Sequence, residues 1–188
     1  MQKILIKFII YLTPLFFYGA AMGYEEPIYK VVKKTDIYEI RHYPERIVAQ
    51  VTFGYQESGF QKLFRYISGS NNENQEIQMT TPVNQERTEE KMIMQFFLPA
   101  KYTLENAPQP KDPNVTITSI KEGYYAVIQY SGRASESNFI KHYEILREAL
   151  VKDTISMNEP PIKATYDGPY TLPVLRRNEA MFNVKFTE

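Results

Sequence analysis

Apolar and polar residues alternate through TDIYEIRHY (residues 35–43), placing Tyr38, Ile40 and His42 on one side of an extended chain and Glu39 and Arg41 on the other. RIVAQVTF follows as a second predicted strand. The period then changes. In ESGFQKLFRYISG, Phe60, Leu63, Phe64 and Ile67 recur at helical spacing, the stripe of an amphipathic helix, and Gly69 is placed to end it. After the polar loop SNNENQE, the runs IQMTTPV and KMIMQFFLP read as a hairpin across a charged turn. NAPQPKDPN carries three prolines in nine residues, breaks any regular element, and marks the midpoint of the fold.

The pattern then returns. VTITSIKEG and YYAVIQYSG read as strands, ESNFIKHYEILREALVKD as a helix with Phe139, Tyr143, Leu146 and Leu150 on one face, and IKATYDGP and EAMFNVKF as two last strands. Strand, strand, helix, strand, strand thus occurs twice. VTFGYQESGF and IQYSGRASESNF repeat it in letters, each passing through a glycine into Glu-Ser-x-Phe, with Ser135 or Ser137 placed to cap the second helix. The expectation is a pseudo-twofold α+β domain in which one sheet, or a distorted barrel, carries two helices.

The first 23 residues carry Lys3 and Lys7, an apolar run from Phe8 to Phe17, and small residues at Ala21 and Gly23. They are expected to be a secretory signal peptide, with residues 24–188 forming a single domain. The run is short for a membrane span and is interrupted by Thr13 and Pro14; an uncleaved N-terminal anchor is the other reading. Loss of the two lysines takes 22 basic residues to 20 against 22 acidic ones, a formal charge of −2. That balance does not suggest a nucleic-acid partner. The chain has no cysteine, which excludes thiolate haem ligation, c-type haem attachment and cysteine zinc sites. An exported location, periplasmic or secreted, is expected, with no stable membrane insertion after cleavage.

Catalytic motifs are missing: there is no G-x-S-x-G, H-E-x-x-H, P-loop or G-x-G-x-x-G, and the two histidines lie 100 positions apart. The expectation is a protein that is not an enzyme. His42 shares a face with Ile40 and is either an interior histidine bonded to backbone or a metal ligand; His142 sits on the flank of the second helix. Met79, Met92 and Met94 read as packing residues, with a thioether ligand as the alternative.

Several stretches together resemble the SOUL haem-binding proteins from about Tyr29 to Phe186: YEIRHYPERIVA, GFQKLFRYISGSN, IQMTTPV, LPAKYTLENAPQPKDPNVTI and YDGPYTLPVLRRNEAMF. The resemblance implies a distorted antiparallel β-barrel flanked by two helices, non-covalent binding of haem (haem b) or another porphyrin, and no catalytic residues. It implies a cleft beside the first helix with Phe60, Phe64, Arg65 and Tyr166 at cofactor-binding positions. His42 occupies the place of the histidine proposed to bind the iron, as metal ligand, in some animal members; other members lack it. An apolar slot for the rings and a cation for the propionates suit that ligand, and Arg65 lies next to the Phe60–Phe64 face. The implied role is an exported carrier, buffer or scavenger of a tetrapyrrole. The alternative is a module for another small amphipathic ligand or a protein partner, since the fold also resembles the effector-binding domains of some bacterial regulators.

Overall fold

The computed structural model describes residues 23–187; all of the expected signal peptide except Gly23 lies outside them. Nine strands form one curled antiparallel sheet, a half-closed barrel that carries two helices. In chain order these are β1 (Lys30–Lys34), β2 (Glu39–Tyr43), β3 (Arg46–Phe53), α1 (Gly59–Ile67), β4 (Val83–Arg87), β5 (Met92–Phe97), β6 (Val115–Ile120), β7 (Gly123–Tyr130), α2 (Glu136–Lys152), β8 (Ser156–Thr165) and β9 (Asn178–Lys185).

The spatial order β1-β2-β7-β9-β8-β4-β5-β3-β6 shows how the two halves combine. Matching β2, β3, β4 and β5 to β6, β7, β8 and β9 leaves the order from β2 to β6 unchanged when read backwards. A pseudo-twofold axis therefore passes between β4 and β8. Each half also gives its first strand to the other: β2 pairs with β7, and β6 with β3. Neither half can close its own ladder, so the two share one sheet and one fold.

Strand alternation divides the core by face. On β9, Ala180, Phe182 and Val184 pack under α2 with Ile40, Ala126, Phe139, Leu146 and Leu150. Glu179 and Met181 turn to the inside of the curl, where Met181 meets Tyr43, Tyr125 and Val127. A third cluster seats α1 through Leu63, Tyr66 and Ile67 against Ala49, Val51 and Phe96. Because both faces are covered, β9 is buried along nearly its whole length, Asn178 and Glu179 included, rather than on alternate residues. Small residues stand opposite large ones, Ala126 by Phe182 and Ala180 by Ile128, which lets α2 lie close to the sheet.

Both helices start from serine N-caps: Ser58 accepts from the Gln61 amide and Ser135, of the two candidates, from the Asn138 amide. Gly69, at φ 99°, supplies the left-handed residue that stops α1.

Three local expectations change. β1 was not anticipated, because KVVKK is short, lysine-rich and an edge strand. Of IQMTTPV only Val83 belongs to a strand; β4 runs on through VNQER, since Pro82 cannot donate to a ladder and the polar residues after it pair with β5 and β8. The α1 stripe also divides: Leu63 and Ile67 enter the core, whereas Phe60 and Phe64 remain 43% and 50% exposed.

Candidate functional site

The two half-exposed phenylalanines define the site. Phe60 and Phe64 lie one helical turn apart with ring centroids 6.0 Å apart and planes 12° from parallel; Phe60 also meets Phe96 edge-on at 5.2 Å. They form one wall of a cleft of about 490 Å³. Its floor is the pair of strands at the pseudo-twofold axis, where Val83 faces Thr165 and Gln85 faces Lys163. The opposite wall is the segment from Tyr166 to Pro169 with Arg176, and Met79, Thr81, Ala134 and Tyr24 complete the lining. The cleft thus occupies the gap that two symmetry-related helices leave over their shared strands.

Lys163 rises from the floor with its stem largely covered. Burial lowers its pKa below the ordinary lysine value, opposed by Glu136 at 3.7 Å. Arg176 is fixed at the rim: its Nε donates to the Thr171 carbonyl at 2.8 Å, and its terminal amine donates to the Pro169 carbonyl. The lining combines flat aromatic faces, a mixed floor of Val83, Gln85, Lys163 and Thr165, the two cations Lys163 and Arg176, and one carboxylate, Asp167. It holds one soft donor, the Met79 thioether, and no imidazole among the described residues.

Of the residues expected at a site, the structure brings Phe60, Phe64 and Tyr166 to this cleft. The Tyr166 hydroxyl is already committed, donating at 2.8 Å to Glu179 inside the curl; burial, and then the Glu179 charge, raise its pKa and keep it a donor. Arg65 points away from the lining, largely exposed, with its guanidinium 4.0 Å from Asp112. His42 shares the α2 side of the sheet with Ile40, as alternation predicts. Its Nε2 lies 2.9 Å from Glu122, and its ring packs on Tyr124 at 4.8 Å. It is on β2, three strand spacings or roughly 14 Å across the sheet from β8, and it is displaced along the strands as well, since its row meets β9 at Val184 and that of Lys163 at Ala180. His142 stacks on Tyr130 at 4.1 Å and its Nδ1–H donates to the Asn138 carbonyl.

Sequence reasoning missed Lys163 and Arg176. The signal for Lys163 was present: in IKAT, Ile162 and Ala164 alternate inward, so Lys163 must face the helix side, where a lysine has reason to be only if something polar meets it there.

The sequence profile described as SOUL heme-binding protein matches residues 24–183. The chain belongs to the SOUL haem-binding protein family. Within reach of it is Heme-binding protein 1 of Xenopus laevis, 26% identical over 133 residues, a span covering 67% of this chain and 69% of the relative. Heme-binding protein 1 of Xenopus tropicalis is 27% identical over 128 residues, covering 64% and 66%. Among solved structures, the C-terminal domain of EcmrR superposes with a TM-score of 0.59 at 16% identity, over 85% of this chain and 99% of that one. A hydrolase from Listeria innocua superposes at 0.58 with 11% identity, over 82% and 94%. At such identities the likeness is one of fold, and a fold shared by these proteins does not select a function.

Proposed function

We propose that the cleft between α1 and the 166–176 segment binds haem or a related tetrapyrrole non-covalently, and that the protein is an exported carrier, buffer or scavenger rather than an enzyme. The observation that carries this reading is the stacked Phe60–Phe64 pair left half-exposed beside Lys163 and Arg176. Burying two such rings in the core, away from water, would be the default; leaving them open over a cation-flanked slot suits a flat apolar ligand that carries acidic groups. The cleft volume lies within the range of about 300–1,000 Å³ usual for small-molecule sites. A porphyrin supplies a flat macrocycle and two propionates. The phenylalanines would stack on the macrocycle, and Lys163 and Arg176 would receive the carboxylates. Family membership and the two Xenopus relatives named for haem binding support the same ligand class.

The lining offers ring and propionate contacts but no histidine, so iron contributes little to affinity on this reading. Titration of the mature protein with haemin and with iron-free protoporphyrin, followed by absorbance, should give similar affinities. His42→Ala should leave the haem absorbance bands and both affinities unchanged, and Arg65→Glu should alter binding only weakly. A shifted haem spectrum in His42→Ala would place the iron at β2 and remove the cleft from consideration. Failure of either porphyrin to bind would favour a different amphipathic acid in the same slot. For export, the intact mass of protein recovered from the exported fraction should start at Tyr24 or within a few positions of it; a full-length mass there would defeat that part of the proposal.

A further inference from the structure

Residues 170–175, YTLPVL, connect β8 to β9 and carry large apolar side chains that the fold does not cover. Tyr170 is 99% exposed, Leu172 64%, Val174 76% and Leu175 71%. In a loop free to rearrange, such side chains would fold back onto the protein. Here the backbone is braced from several directions: the Thr171 amide donates to the Gly168 carbonyl, the Leu175 amide to the Leu172 carbonyl at 2.9 Å, and the Gly132 amide to the Pro173 carbonyl at 2.8 Å. Arg176 ties the loop together by donating to the carbonyls of Thr171 and Pro169. The apolar side chains are held outward.

Two arginines, Arg133 and Arg176, line the concavity at the base of this loop. We infer that the 170–175 loop docks on an anionic membrane surface, its apolar side chains entering the headgroup–acyl boundary and the arginines meeting the acidic headgroups. Tyrosine and branched aliphatic residues at a protruding tip with arginine behind them are the chemistry of that boundary. A folded protein partner is the poorer match. A stable protein interface takes about 800 Å² from each side, more than a six-residue tip supplies, whereas bilayer binding grows with each side chain taken in. Pro169 and Arg176 also line the cleft, so a docked loop sets the cleft mouth against the lipid. Docking requires only the loop; its consequence, uptake of an amphipathic ring from the bilayer, rests on the ligand proposed above.

Co-sedimentation tests the docking, using the mature protein with phosphatidylcholine vesicles, with or without phosphatidylglycerol. The expected result is sedimentation with the anionic vesicles, about tenfold or more weaker with neutral ones, since the attraction of the two arginines to acidic headgroups is then missing. The double variant Leu172→Asp/Val174→Asp should lose vesicle binding while keeping its circular dichroism and its porphyrin affinity in lipid-free buffer. Wild-type protein that stays in the supernatant with both vesicle types overturns the inference, as does a double variant that sediments like wild type. A concentration-dependent dimer that the double variant abolishes, without vesicle binding, would also overturn it and give the patch to a second copy of the chain. Porphyrin binding in lipid-free buffer is read separately, so a wrong ligand and a wrong docking surface give different results.

Discussion

Glu179→Ala should destabilise the domain by about 3–5 kcal/mol, a large part of the 5–15 kcal/mol that holds a typical domain folded. Glu179 is 0% exposed on the inner face of β9 and accepts from four donor groups of three residues at once. Arg41 Nη1 donates to it at 3.0 Å, Arg177 donates through Nη2 at 3.0 Å and Nε at 3.1 Å, and the Tyr166 hydroxyl donates at 2.8 Å. The arginines extend the network outward, Arg41 to Glu39 and Arg177 to Glu26. Burial acts to lower the Arg41 pKa, but Glu179 and the neighbouring tyrosines more than offset it, so the guanidinium stays charged at 3% exposure. Removing the carboxylate therefore leaves the buried Arg41 with only the part-exposed Glu39 as counter-ion and strips its Nη1 of an acceptor, which costs more than the pair itself contributes. Urea unfolding followed by circular dichroism checks the effect. Glu179→Gln keeps the shape and part of the hydrogen bonding and should fall between wild type and Glu179→Ala. A midpoint unchanged in both variants would show that the cluster adds nothing to stability.

Phe60→Ala/Phe64→Ala should weaken porphyrin binding by about 30-fold or more, taking a loss of about 2 kcal/mol for a central aromatic anchor. The melting temperature should change little. Leu63, Tyr66 and Ile67 carry the contact of α1 with the sheet, and the two phenylalanines are half-exposed in the free protein, so their removal opens no large cavity. This separation of affinity from stability distinguishes a site from a core. A double variant that loses stability and affinity together would make the phenylalanines packing residues, and one that keeps its affinity would move the ligand elsewhere.

Much of the fold was legible because its signals are local. A period of two marked β2, apolar-rich runs marked β3, β6, β7 and β9, a period near 3.6 marked both helices, Gly69 marked the end of α1, and the repeated order of elements announced the pseudo-symmetry. These features depend on neighbours a few residues apart, and each residue type states its own preference. The site was half legible. Phe60 and Phe64 were visible as an apolar pair, yet helical spacing says only that a face is apolar. Whether that face meets the sheet or a cleft depends on how the helix is rotated on its strands, and Leu63, Tyr66 and Ile67 settled it.

Tertiary structure alone decided the rest. The exchange of β2 and β6 between halves, the meeting of β4 and β8 on the axis, and the cleft above them follow from pairings across long stretches of chain, which no local pattern encodes. For the same reason Lys163 and Arg176, far from α1 in sequence, emerge opposite Phe60 and Phe64 only when the sheet is assembled. Arg41, Arg177 and Glu179 read as ordinary surface charges one by one. The curl encloses Arg41 and Glu179 in a low-dielectric interior, where a charge is tolerated only with its partner, and leaves Arg177 at its edge, and so converts three polar letters into one cluster.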